Sequence, residues 1–337
     1  MGDEAEDRNR IVHSSCEEYA NFRLSAIQYQ PTDRPIEDRF SISVDSSSGR
    51  VILGVYDGHG GTATADHVRE VLPSELLALP PSNAAHIKTF RKVDDAMLHA
   101  FTQDHSIFRS RSPQWKFNAQ VIKSGCTALV LDIDFDTLTA LYGNAGDCRA
   151  VISQGPQQPP FETTDLNAKN SQEKARLIAE HPGEDLLVVS GRLFGKLMST
   201  RGFGDGYFKL PNGPIGNRQH RKYIDVMSSL EASNKIPMNQ QYDSYFYGYK
   251  TPPYLTATPE VGNVQLYAPG FAILASDGLW DLISGLDAQH IVQEGIDSGK
   301  RDLAKHLLES VLSSRNPGDD VTIVVIELPS PTAQPEI

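Results

Sequence analysis

Apolar positions along this chain follow two periods. Val51-Ile52-Leu53-Gly54-Val55-Tyr56 is a short, partly β-branched run cut off by glycines, which predicts a buried strand breaking into a turn at Asp57. Similar or alternating runs predict strands over 23–29, 40–44, 125–133, 138–142, 271–276 and 321–328. Helical spacing instead links Ala65, Val68, Val71, Leu72, Leu76 and Leu79, with Pro73 as an expected kink or break. The same spacing returns over 85–107, 286–298 and 303–312. A helix over 170–181 is expected to begin at Asn170 as N-cap, with Glu173 in the reciprocal capping position.

These helices come in blocks between groups of strands instead of alternating with each strand. That order predicts an α+β fold in which antiparallel sheets are covered by segregated helices. Residues 1–22 read as a flexible lead-in and 329–337 as a disordered tail, leaving 23–328 as the folded part. Within it, 206–253 turns to Asn, Gln, Tyr, Pro and Gly and is expected to be a loop segment that selects a substrate or partner.

Length alone, at 337 residues, suggests about two domains. The acidic residues argue for one. Glu37, Asp57, Asp147, Asp277 and Asp319 each stand at the rim of a predicted strand or its turn, and the four aspartates adjoin glycine. Carboxylates joined by a backbone carbonyl, without a Cys or His cluster, are the ligand chemistry of Mg²⁺ or Mn²⁺. Without cations such a group of acids would repel or take up protons. For positions 37 to 319 to meet, the sheets that carry them must belong to one domain.

Charge and cysteines narrow the setting. Lys+Arg 31 against Asp+Glu 43 leaves a net charge of −12, which disfavours nucleic acid and anionic membrane surfaces as partners. An anionic substrate then needs the field inverted locally, as bound divalent cations do. Cys16, Cys126 and Cys148 are scattered without CxxC spacing, so neither a disulfide framework nor a zinc site is indicated. The acidic residues 1–7 lack the pattern of a secretory or mitochondrial leader, and Glu6 stands where an N-myristoylation motif wants Ser or Thr. No apolar run approaches the ~20 residues of a membrane span. The expectation is a soluble cytoplasmic or nuclear protein.

Taken in order, Glu37-Asp38, Val55-Tyr56-Asp57-Gly58-His59-Gly60-Gly61, Ser124-Gly125-Cys126-Thr127, Gly146-Asp147-Cys148-Arg149, Ser199-Thr200-Arg201-Gly202-Phe203-Gly204-Asp205, Ala275-Ser276-Asp277-Gly278-Leu279-Trp280-Asp281 and Asp319-Asp320-Val321-Thr322 resemble the motif set of the metal-dependent PP2C (PPM) serine/threonine phosphatases. The resemblance runs from about Leu24 to Leu328. Stretches such as Leu193-Phe194-Gly195-Lys196-Leu197-Met198 are similar to the pyruvate dehydrogenase phosphatase branch, whose mitochondrial matrix address the acidic N-terminus does not declare.

The resemblance implies a sandwich of two antiparallel β-sheets flanked by helix pairs, acting on phosphoprotein substrates; a monomer is expected. It implies two Mg²⁺ or Mn²⁺ ions, with Asp57 bridging them, Glu37 and the Gly58 carbonyl completing one site, and Asp277 and Asp319 the other. Asp147, with Asp277 and Asp281, matches a weaker third site. A hydroxide bridging the ions would attack phosphorus, and His59 would protonate the departing seryl oxygen.

One position departs from the pattern. Many family members place a phosphate-binding arginine four residues before the metal-binding glutamate, where this chain has Asp33; Arg34 and Arg39 are the nearby candidates. The departure keeps a second class of function open, a catalytically weak or inactive PP2C-fold regulator that binds phosphoproteins. Asp147 has the alternative role of bracing its own turn. Thr127, Arg201 and Asp205 read as architectural, Cys126 and Cys148 as small apolar fillers, and the aromatic run 242–249 as either a substrate contact or loop packing.

Overall fold

Strand β1 (Ile11–Glu18) opens the chain and pairs with β2 (Arg23–Tyr29); β3 (Arg39–Asp45) and β4 (Arg50–Tyr56) form a second hairpin, followed at once by the two-residue β5 (Gly58–His59). Helices α1 (Ala63–Leu77), α2 (Asn83–Asp104) and α3 (Trp115–Lys123) lead to β6 (Gly125–Cys126), β7 (Ala128–Asp134), β8 (Thr139–Ala145), β9 (Arg149–Ile152) and β10 (Phe161–Glu162). After α4 (Ser171–Glu180) come β11 (Val188–Val189), β12 (Arg192–Leu193), β13 (Phe203–Gly204), α5 (Gly206–Lys209) and α6 (Arg218–Ser228). The chain closes through β14 (Glu260–Gln265), β15 (Gly270–Ala275), α7 (Asp277–Trp280), α8 (Gly285–Asp297), α9 (Leu303–Leu312) and β16 (Val321–Leu328). This computed structural model describes residues 10–45, 47–105, 110–155, 158–211, 218–230 and 249–329.

Two antiparallel sheets carry the architecture, in the orders β1-β2-β16-β15-β9-β10 and β14-β8-β7-β4-β3. Period-two alternation decides what lies between them. Val51, Leu53 and Val55 of β4 meet Leu24 and Ala26 of β2 and Val324 and Ile326 of β16 in one buried layer. The other face of β4, through Ile52 and Tyr56, packs under α1 and α2, while Ile27, Ile323 and Val325 pack under α8 and α9. Fully burying each such aliphatic chain contributes about 1.5–3 kcal/mol. The result is a helix–sheet–sheet–helix sandwich, the α+β arrangement expected.

Several local expectations are corrected. Part of the supposed lead-in is β1, in register with the whole of β2, because a strand there covers an otherwise bare sheet edge. Helix α1 continues without a break past the buried Pro73. The strand expected over 125–133 is split at Thr127, whose N–H donates 2.9 Å to the Asp57 carbonyl instead of a neighbouring strand. The nine-residue helix α3 and strand β14 are not among the elements expected from the sequence. Inside 206–253 the described parts form α5 and α6, and Tyr207, Phe208, Tyr223, Met227 and Tyr249 belong to the core, so this stretch is no detachable loop. Residues 1–9, 242–248 and 330–337 lie outside the described residues. Among those described, no helix is long and apolar enough to cross a membrane, and all three cysteines are free thiols.

Candidate active site

The two sheets end together along one edge. In the five-stranded sheet Arg39 at the start of β3 pairs with Tyr56 at the end of β4, and Ala128 at the start of β7 pairs with Ala145 at the end of β8. In the six-stranded sheet Ala275 at the end of β15 stands between Ile323 near the start of β16 and Arg149 at the start of β9. Glu37 and Asp38, Asp57, Asp147, Asp277, and Asp319 and Asp320 are the residues just outside these strand ends. Antiparallel pairing thus delivers all of them to one place, although they span most of the chain.

Hydrogen bonds hold the loops in order. The Glu37 N–H donates 2.9 Å to Asp320 Oδ2, which ties the loop before β3 to the loop before β16. Gln28 Nε2 donates to the Asp38 carbonyl at 3.1 Å and to Thr322 Oγ1 at 3.2 Å. Glu37 Oε1 accepts 2.7 Å from the Gly61 N–H. Gly58 is required by close approach: a Cβ there would collide with the Glu37 carbonyl. Asp147 accepts from Asn167 Nδ2 at 3.1 Å and Ser199 Oγ at 3.4 Å. Asp147, Arg149, Asn167, Asp277, Trp280 and Asp281 line a cleft of about 400 Å³.

Electrostatics mark the same edge. Burial, then the charges of Asp277, Asp38, Asp147 and Asp319, push the Asp57 carboxyl well above its ordinary range. Asp277 rises to about 7 through burial and the Asp147 charge, against which a hydrogen bond to Asp57 works. Asp38 rises through burial and then the nearby Asp320 and Asp277, and its Oδ2 is buried without a hydrogen-bond partner. Burial raises Asp147 as well. Among the described residues no group of three or more His, Cys, Asp or Glu side chains is arranged to hold a metal ion. The edge offers a row of hard oxygen donors, a chemistry that suits Mg²⁺ or Mn²⁺ and not a softer metal.

The remaining candidates separate. His59 Nε2 lies 2.8 Å from Asp205 Oδ2; burial lowers the ring's proton affinity, but the Asp205 charge and hydrogen bond outweigh it and raise the net value. Arg39 is spoken for: it donates to Asp66 Oδ1 at 2.6 Å and to the Asp38 carbonyl at 2.7 Å. Arg34 stands exposed on the loop before β3. Arg201 is indeed architectural, donating 2.7 Å to Glu173 Oε1. Glu173 therefore does not close a reciprocal cap; Asn170 Oδ1 alone accepts the Gln172 N–H at 2.8 Å. The sequence assigns no role to Asp38 or Asp320, and it reads Asp205, here the His59 partner, as architectural only. The doublets Glu37-Asp38 and Asp319-Asp320 were the available signal for the first two, while nothing local ties Asp205 to His59.

The description "Protein phosphatase 2C" matches residues 22–317 as a family model. A protein phosphatase 2C homologue of Schizosaccharomyces pombe is 29% identical over 268 residues, covering 73% of this chain and 56% of its own length. The human mitochondrial pyruvate dehydrogenase [acetyl-transferring]-phosphatase 1 is 30% identical over 330 residues, covering 78% and 59% respectively. The chain thus spans less than two thirds of these relatives. A phosphatase structure from Toxoplasma gondii superposes over 94% of this chain and 95% of that one, with a TM-score of 0.66 at 14% identity. On the family match, the ordered motifs and the shared sandwich, this chain belongs to the protein phosphatase 2C family.

Proposed function

We propose that this chain hydrolyses phosphoserine and phosphothreonine in protein substrates, using two Mg²⁺ or Mn²⁺ ions held by Glu37, Asp57, the Gly58 carbonyl, Asp277 and Asp319. Asp147 and Asp281 would serve a third, weaker ion. The reading is carried by the delivery of these acids from distant parts of the chain to one sheet edge, beside His59. When bound, divalent cations supply Lewis-acid activation of water and neutralise the phosphate. His59 holds the proton that the departing seryl oxygen needs, since an alkoxide is a poor leaving group at neutral pH. Arg34, the exposed arginine one position after Asp33, is the phosphate ligand.

Substrate approach is electrostatic. The protein's negative charge disfavours a phosphoprotein, and divalent cations at the edge would supply the attraction. The relatives named for pyruvate dehydrogenase make a phosphorylated metabolic enzyme one reasonable substrate and the mitochondrial matrix one reasonable setting. The test is turnover of a phosphoserine peptide by the purified protein with Mn²⁺. Wild type should turn over, and both a chelator and Asp57→Asn should abolish it. Activity surviving both would overturn the proposal, and an intact protein that binds the peptide without turnover would support the regulator reading.

A further inference from the structure

The small sheet β5-β6-β13 sets His59 opposite Gly125, and Gly125 opposite Gly204, so that Asp205, the next residue, arrives beside the His59 ring. Three features build this contact. Gly125 leaves the room it needs, since a Cβ there would collide with both Asp205 Oδ2 and His59 Nε2. Asp205 itself sits in the left-handed region at φ +53°, its N–H donating 2.9 Å to the Ser124 carbonyl. The turn before it is anchored from α2: Asp94 Oδ1 accepts the Gly204 N–H at 3.0 Å, and Lys209 Nζ bridges Asp94 and the Gly202 carbonyl at 2.7 Å each. The His59 side chain keeps 18% of its surface exposed and Asp205 only 3%, so the ring can meet a substrate and the carboxylate cannot.

We propose that Asp205 is the positioning residue of the reaction: it takes the Nε2–H of His59 and so makes Nδ1 the nitrogen that serves the substrate. The inference rests on the reading of His59 as proton donor. A carboxylate can only accept, so Nε2 must carry the hydrogen between them, and the ring is held in one tautomer and one orientation. As the bond from phosphorus to the seryl oxygen breaks and the bond to the water oxygen forms, Nδ1 gives its proton to the seryl oxygen. The neutral ring remains with Nε2–H on Asp205. The proton lost by the attacking water passes to solvent, and a solvent proton restores Nδ1–H.

The experiment compares two leaving groups in wild type, Asp205→Asn, His59→Asn and the double variant. A phosphoserine peptide leaves as an alkoxide and needs the proton; p-nitrophenyl phosphate leaves as a stabilised phenolate and does not. Asp205→Asn should lower kcat on the peptide by about 10–100-fold with KM little changed and lower kcat on the aryl ester less than about threefold. In the His59→Asn background the same change should cost nothing more. Equal losses on both substrates, or a loss that persists without His59, would overturn the inference. By contrast, His59→Asn with full peptide turnover would remove the proton-donor reading itself. Should Asp205→Asn not fold, ring ¹⁵N shifts of wild-type His59 at alkaline pH remain decisive: the Nε2–H tautomer supports the inference and the Nδ1–H tautomer overturns it.

Discussion

Two populations of buried carboxylates divide this molecule. On the helical side of the sandwich they are matched with donors, three of them with cations: Asp132 with Arg50 at 2.5 Å, Asp94 with Lys209 at 2.7 Å, Glu173 with Arg201 and Arg176 at 2.7 and 2.8 Å, while Asp104 accepts from Asn118 and Glu184 from Tyr254. At the sheet edge Asp57, Asp277 and Asp38 lie among further acids, Asp147, Asp319 and Asp320. The outcome is opposite in sign. Burial pushes Glu173 up, yet Arg201, Arg176 and Thr200 hold it down at about 2, while Asp277 rises to about 7. Removing a partner from the first population strands a buried charge, whereas removing a member of the second relieves repulsion.

The largest expected contrast is at Asp57. Asp57→Asn should cut phosphopeptide turnover by roughly a thousandfold or more, the equivalent of several kcal/mol of transition-state stabilisation. In chelator the same variant should unfold at higher denaturant than wild type, because one member of a repelling buried group is gone. A lower midpoint in chelator would break the comparison. Mn²⁺ should raise the wild-type midpoint, by about 2.7 kcal/mol at a hundredfold excess over Kd, and leave Asp57→Asn nearly unmoved in the same titration.

On the other side, Arg201→Ala strands the buried Glu173 and should cost about 3 kcal/mol in denaturant unfolding. An effect under about 0.5 kcal/mol would mean Arg176 and Thr200 suffice. The pH dependence follows with a definite sign. The folded value of Glu173, about 2, lies below its ordinary 4.5, so its contribution of about 3 kcal/mol is present above pH 4.5 and lost as pH falls toward 2. Denaturant midpoints across that range should drop in wild type and drop less in Glu173→Gln. The smallest effect belongs to Arg34: with one exposed arginine on the phosphate, Arg34→Ala should raise KM for the peptide about threefold and spare kcat.

Much of this was readable from the chain. The runs ending at Tyr56 and Ala275 announce strands because β-branched and aliphatic residues crowd there, and a glycine beside Asp57 or Asp277 announces the break that brings an acid to a strand end. Strand β1 was hidden because its face is exposed and polar, so it shows no apolar alternation. Glu173 was misread for a related reason: its spacing from Asn170 fits a cap, but a half-buried pair of arginines competes for the same carboxylate and wins. Asp205 could not be connected to His59 across 146 positions by any local rule.

By itself the sequence determined the local states and the chemistry on offer: which stretches extend, where they stop, and that hard oxygen donors wait at those stops. Only the tertiary structure decided partnership, namely which acids receive an arginine or lysine and which are left together, and which nitrogen of His59 is held by Asp205. The reason is physical. Periodicity and turn chemistry act over a few residues, whereas burial and Coulomb interactions depend on distances that exist only once the two sheets have closed on each other.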